Sequence, residues 1–265
     1  MTRVAIVGAG RVAQALCRDL SSEGHRVTIL APALAHLPAL WRKCDAVSGE
    51  GLRAGMEGAE VVVFAAWSAD TSRVKDVAEI GVLQAARAAK EAGAERFILL
   101  GPTGASADAT SVGGRAHHAA RQQVEDRAPP AVCLGLPVVF GQGDALISPW
   151  LSALSAGKAP RIAGANSWVQ PLWIQDATRA VRRVMIGEHD GEFLELLGPE
   201  RWRVSALARD ICTREGQKPS RVPRRMSAEV EALLRDQQTA PDDWDRLHLG
   251  NRRTVNQWLS NPEGG

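Results

Sequence analysis

The sequence predicts an α/β protein, a doubly wound parallel sheet with a smaller C-terminal substrate-binding region. Three observations carry this. Short, continuous apolar runs alternate with helical patterns over residues 1–140, as strands buried on both faces do. A glycine loop joins the first of these runs to the helical pattern that follows. The chain has 265 residues, 45% hydrophobic and 23% charged, which suits one large domain or a main domain with a smaller one.

Taken in order, Arg3 to Val7 is an apolar run ending in Gly8-Ala9-Gly10, followed by Val12, Leu16 and Leu20 on one helical face. Val27 to Leu30 is a second strand, Asp45 to Ser48 a weaker third, and Glu60 to Ala66 a strong fourth. An alanine-rich helix over Val74 to Ala92 stops at Gly93. Arg96 to Leu100 and Ala131 to Val139 are the fifth and sixth strands, with a helix over Gly114 to Arg127 between them. Beyond Gly141 the pattern loosens into helices over Ala145 to Ala156, Asp176 to Ile186, Val204 to Glu215 and Ala228 to Asp236. Residues 141–265 are expected to pack as the smaller region at the carboxyl ends of the strands, the chain crossing back to the core, where ligands bind in such sheets.

Gly8-Ala-Gly10-Arg-Val-Ala13 fits GxGxxA between a strand and a helix, the fingerprint of a Rossmann-type dinucleotide site. The first glycine permits the tight turn, the second lets pyrophosphate approach the backbone, and the small third residue allows close helix–strand packing. The helix N-terminus, at Arg11 and Val12, then offers free N–H groups to phosphate. An NAD site carries an acid at the end of the second strand for the ribose 2′-OH. Here that strand ends Ala31-Pro32-Ala33. Arg11 could instead face a 2′-phosphate, so NADP is slightly favoured over NAD.

Other classes are disfavoured. A formal charge of +2 gives no sign of a nucleic-acid partner. No stretch reaches the roughly 18 apolar residues of a membrane helix, and the opening MTRVAIVGAG leaves no room for a signal peptide. Cys17, Cys44, Cys133 and Cys212 are far apart with no CxxC pair, so neither a metal site nor a disulfide framework is expected. A cytoplasmic protein follows.

The chain resembles the extended and atypical short-chain dehydrogenases/reductases, which include nucleotide-sugar epimerases and NmrA-like proteins. The resemblance runs from Val4 to Pro199 and rests on VAIVGAGRVA, VVVFAA, RFILL, LPVVFGQGD (136–144) and PLWIQDATRAV (171–181). It implies that Ala65, Ala66 and Pro137 join the glycine loop at the cofactor. In that superfamily a Tyr-xxx-Lys pair and a Ser or Thr carry the chemistry, yet this chain has no tyrosine at all. Alignment through Glu125 puts His117 at the tyrosine position and Arg121 at the lysine position; a slip by one offers His118 and Gln122.

His117 and Arg121, four apart, share a helix face. With an ordinary pKa of about 6.5, histidine suits acid–base work, while arginine could hold the ribose hydroxyls. Thr103 would orient the substrate oxygen unless Pro102 takes that position. Leu136 replaces the arginine that some relatives use on phosphorylated sugars. Asp176 opens a helix, where an N-cap is its ordinary role. Trp67, His118, Trp150, Trp168 and Trp173 are candidates for a largely apolar substrate pocket, and Trp244 and Trp258 for anchoring a partner or a homodimer. Two functions follow. One is an NAD(P)H-dependent oxidoreductase acting on a carbonyl or imine of a small substrate. The other is a non-catalytic NADP(H)-binding sensor or assembly factor, or a redox-neutral lyase, cyclase or isomerase.

Overall fold

The computed structural model describes residues 1–33, 37–68, 70–218 and 227–262. In chain order the elements of the first half are β1 (Arg3–Val7), α1 (Arg11–Ser22), β2 (Arg26–Ala31), β3 (Leu40–Lys43), α2 (Leu52–Met56), β4 (Val61–Phe64), α3 (Thr71–Asp76), α4 (Val82–Glu91), β5 (Arg96–Pro102), α5 (Val112–Arg127) and β6 (Ala131–Leu136). The second half holds β7 (Val139–Phe140), α6 (Ser148–Ser155), β8 (Trp168–Val169), β9 (Leu172–Trp173), α7 (Ile174–Val184), β10 (Phe193–Glu195), β11 (Trp202–Arg203), α8 (Val204–Arg214), α9 (Ala228–Asp236) and α10 (Val255–Ser260).

Among the described residues, seven strands form one sheet in the order β10-β6-β5-β4-β1-β2-β3, and every pairing in it is parallel. The chain order reverses between β1 and β4, which opens a crevice at their carboxyl ends. Val4, for instance, pairs with Val27 on one side and Val61 on the other. One face buries Leu16, Leu20 and Ile98 with Ala177 and Val181 of α7. The other buries Leu52, Phe64 and Leu99 with Ala85, Ala89 and Val124. The sheet is therefore covered on both sides, which is why its central strands are apolar throughout. The C-terminal half supplies both α7 and the seventh strand, β10, to this layer. Its remaining helices gather around Phe140, Trp150, Leu207, Ile211 and Trp258.

Some elements differ from expectation. The third strand is Leu40–Lys43, an edge strand mostly open to solvent, so it lacks the apolar run that betrays buried strands. Asp45 to Ser48 instead turns, the Asp45 carboxylate accepting from Val47 N (2.8 Å) and Ser48 N (3.0 Å). The expected helix over Val74 to Ala92 is interrupted by a π-helical turn at Val77–Gly81. The sixth strand stops at Leu136, before Pro137, which has no N–H to donate. No helix among the described residues is long and apolar enough to cross a membrane.

Candidate dinucleotide site

Gly8 adopts φ +111°, and a Cβ there would lie 2.8 Å from Ala66 N and 2.9 Å from the Ala65 carbonyl carbon. Only glycine lets the loop lie this close to the end of β4. Its N–H donates to Leu30 O at 2.8 Å, which fixes the turn against β2. Gly10 is the N-cap of α1, with no side-chain cap, and a Cβ there would meet nothing within 4 Å. The loop therefore presents open space before uncapped helix N–H groups, where the backbone dipole favours an anion. Ala13 is buried beneath it.

Two cavities flank the loop and share Ala66 and Trp67 as walls. One, of about 210 Å³, runs from Gly8 and Gly10 past Pro32 to Asp45, Ser68 and Arg73. Hydrogen bonds from Ser48 and Val47 hold the Asp45 carboxyl below the usual range. The other, of about 320 Å³, is bounded by Val12, Ala65, Gly101, Pro102, Leu136 to Val139, and α9. Two cavities on either side of an open glycine loop suit the two ends of a dinucleotide. Val12, Ala65, Ala66 and Pro137 stand together on the wall of this second cavity. Asp45, Ser68 and Arg73 are additions to the predicted site: Asp45 falls in the expected third strand, and Ser68 and Arg73 between the expected fourth strand and the helix from Val74.

Arg11 stands apart. Its guanidinium donates to Val139 O (3.4 Å) and Gln142 O (3.0 Å), so it ties α1 to the segment after β6, away from Pro32 at the end of β2.

The proposed reaction groups are not brought together. His117 is 1% exposed, and its Nε2 lies 3.2 Å from Leu100 O while Nδ1 has no partner among the described residues. Burial lowers its pKa to about 4, so the ring is neutral near pH 7. The imidazole sits behind β5, in the space a Gly101 Cβ would need, and it does not border the 320 Å³ cavity. Arg121 lies 3.8 Å over the Phe193 ring and donates to His118 Nδ1 at 2.9 Å, on a different cavity at the β6–β10 side. Thr103 is fully buried and donates to Leu196 O at 3.0 Å; Pro102 borders the cavity in its place.

On α5, Gly113 packs against Trp67 and His117 against Gly101, both of which border the cavity. A Cβ on Gly113 would lie 2.6 Å from the Trp67 indole and 3.0 Å from Glu229 Oε1. Gly113, four residues before His117, has no side chain.

What covers this corner is α9, whose docking the sequence did not announce. Glu229 accepts from Val112 N (2.9 Å) and Gly113 N (2.7 Å). Asp236 accepts from Thr110 N and Oγ1, both at 2.7 Å, and from Ser111 N (3.0 Å) and Oγ (2.6 Å). Ser111 Oγ in turn accepts from Gly114 N at 3.0 Å. Two carboxylates thus cap the α5 N-terminus, where negative charge is favoured, and hydrogen bonds to Ser111 and Thr110 help hold the Asp236 carboxyl below its usual range despite burial. The docked helix places Val230, Leu233, Leu234 and the following Gln237 on the cavity.

Of the tryptophans, only Trp67 borders the site. Trp150 and Trp173 are buried in the C-terminal core, and the Trp168 ring has the guanidinium groups of Arg201 and Arg203 over it at 4.9 Å and 5.0 Å. Trp244 and Trp258, expected to be partner anchors, are 2% and 4% exposed, because the polar stretch carrying them folds back. Trp244 Nε1 donates to Gly250 O at 2.7 Å. Asp176 does not cap its own helix but accepts from Arg253 N (2.8 Å) and Arg179 Nη1 (2.7 Å), pinning the C-terminal segment to α7. No group of three metal-ligating side chains is present among the described residues.

Residues 8–128 match a protein family described as NAD(P)H-binding. No curated protein sequence matches the chain significantly. Among solved structures it is similar to MoeE5 in complex with UDP-glucose and NAD, at 16% identity and a TM-score of 0.77, over 98% of this chain and 97% of that one. A UDP-glucose 4-epimerase from Thermotoga maritima, in complex with UDP-glucose, shares 16% identity, with a TM-score of 0.74 and 86% and 88% coverage. The Bordetella bronchiseptica enzyme WbmG, in complex with NAD and UDP, shares 15% identity, with a TM-score of 0.70 and 86% and 83% coverage. Residues 8–128 are thus similar to an NAD(P)H-binding family, and the chain shares the fold of these solved structures.

Proposed function

We propose that this protein holds a nicotinamide dinucleotide without performing the tyrosine-dependent reaction of its fold relatives, and that it works as a dinucleotide-responsive binding protein. The observation that carries the reading is the corner of α5 beside the cavity. Gly113 brings no side chain there, Trp67 and Glu229 fill the space, and His117 is buried and neutral behind β5. A group that is to move a proton must lie within hydrogen-bond reach of the reacting atom, and neither His117 nor Thr103 borders the cavity.

In this reading the Gly8–Gly10 loop and the α1 N-terminus hold the pyrophosphate. The cavity of Asp45 and Arg73 takes the adenosine end, and the apolar cavity takes the nicotinamide end. When bound, the nicotinamide supplies a hydride donor or acceptor; the residues around it bind and shield it from water. NADP(H) is preferred over NAD(H), since β2 ends without an acid and Arg73 is a cation bordering the adenosine-side cavity. The apolar cavity, at about 320 Å³, is at the small end for ligand sites. A nicotinamide ring and its ribose suit that size better than a nicotinamide together with a nucleotide sugar.

Calorimetric titration with NADPH, NADP+, NADH and NAD+, paired with a carbonyl-reduction screen, tests this. Micromolar binding of the phosphorylated pair without turnover is expected. Failure of all four to bind overturns the reading, and so does carbonyl reduction that His117→Ala abolishes.

A further inference from the structure

The two cavities beside the glycine loop differ in the charge their walls carry. Asp45 and Arg73 border the adenosine-side cavity. The other has a wall of aliphatic side chains, prolines, a glycine and the Trp67 indole, with the Gln237 amide its one polar side chain among the described residues. The carboxylates on the elements around it are engaged elsewhere. Glu229 accepts from Val112 N and Gly113 N, Asp236 from Thr110 and Ser111, and Glu195 from Gly104 N at 2.6 Å. The charge that does reach this wall is positive. Val12, on the wall, lies in the first turn of α1, at the positive end of the helix dipole. The Arg11 guanidinium donates to the carbonyl of Val139, another wall residue.

We propose that this cavity selects the reduced dinucleotide, so that the protein responds to NADPH rather than to NADP+. The inference rests on the dinucleotide reading above. The two forms differ only in the ring: the oxidised ring is a pyridinium cation, and the dihydronicotinamide is neutral. Moving a cation from water into an apolar enclosure is costly unless a counter-charge meets it there. For the same reason burial shifts a side chain against its charged form by one to several pKa units. The neutral ring incurs no such cost and keeps the apolar surroundings of Leu100, Leu136 and Leu233. The Trp67 indole alone can draw a cation to its face. At a ring 42% exposed that attraction is at the weak end of its range, short of the desolvation it would have to offset.

The test measures binding of NADPH, NADP+ and 2′-phospho-ADP-ribose, which lacks the ring, to the full chain by calorimetry, with NADH, NAD+ and ADP-ribose in parallel. The wild-type protein is expected to bind NADPH about tenfold more tightly than NADP+, the low end of what burial does to an uncompensated charge. That comparison tests the inference by itself. Leu233, half-buried on the cavity wall, is then replaced by glutamate and by glutamine. Leu233→Glu supplies a counter-charge and should cut the preference severalfold; Leu233→Gln, of the same shape without the charge, should keep it. Whatever affinity both forms lose together, the ratio between them is the readout, and binding of 2′-phospho-ADP-ribose shows that each variant is folded. Equal binding of NADPH and NADP+ by the wild-type protein, a preference for NADP+, or a ratio that moves equally in the two variants overturns this inference alone. If 2′-phospho-ADP-ribose, ADP-ribose and the dinucleotides all fail to bind, the dinucleotide reading falls and this one with it.

Discussion

His117 and Gly101 share one space: the imidazole lies where a Cβ on Gly101 would be. That relationship explains two things at once. The carboxyl end of β5 carries a glycine because a ring from α5 is packed against it, and the histidine fills that space without bordering the cavity that Gly101 borders.

Adding a Cβ at residue 101 should therefore be costly. Gly101→Ala is expected to lose about 1–3 kcal/mol of stability, the ordinary penalty of overpacking. Gly101→Ala combined with His117→Ala should recover part of that loss, because the overlap is removed. Urea denaturation of the two single variants and the double variant gives the coupling directly.

The same histidine makes stability depend on pH. Its folded pKa is about 4 against about 6.5 in an unfolded chain. Above pH 6.5 both states are neutral there and the group contributes no pH dependence. As pH falls from 6.5 towards 4 the unfolded state takes up a proton that the folded state refuses, so stability is lost across that window. The expected loss between pH 7.5 and 5 is about 2 kcal/mol. His117→Gln should remove that increment of slope whatever its effect at neutral pH.

Gly10 separates folding from binding. A Cβ at this position meets nothing within 4 Å, and its backbone is extended with negative φ, so Gly10→Ala should leave the melting temperature nearly unchanged. It should nevertheless weaken dinucleotide binding by tenfold or more, because the methyl group enters the space through which pyrophosphate approaches the backbone. Unaltered affinity for all four dinucleotides would show that the phosphate does not lie there.

Docking of α9 should depend on Asp236 more than on any single apolar contact. Asp236→Ala leaves the N–H and hydroxyl groups of Thr110 and Ser111 without their carboxylate acceptor, and a loss of about 1–3 kcal/mol is expected. Because the carboxyl is held below its usual range, its contribution is present above the unfolded value of about 3.9 and fades as pH falls through the folded one. Thermal melts of wild-type and variant protein at pH 7 and pH 3 should accordingly converge at the lower pH.

The sheet and its glycine loop were legible in the sequence because both depend on local signals. Val4 to Val7, Val61 to Phe64 and Phe97 to Leu100 are apolar because both faces of a parallel sheet are covered. The Gly8–Gly10 spacing follows from the turn that must join β1 to α1. Where the local signal weakens, so does the reading: β3 is an exposed edge, and Asp45 to Ser48 turns because of a side-chain cap that hydropathy does not register. The chemistry of the site lay in contacts between residues far apart in the chain. Gly113 against Trp67, His117 behind Gly101, and Asp236 on Ser111 link positions 16 to 125 residues apart. Spacing along α5 fixed only that residues four apart share a face, not which such pair faces the cavity. Tertiary packing placed His117 against Gly101 and Gly113 against Trp67, and laid α9 across the start of α5 through Glu229 and Asp236.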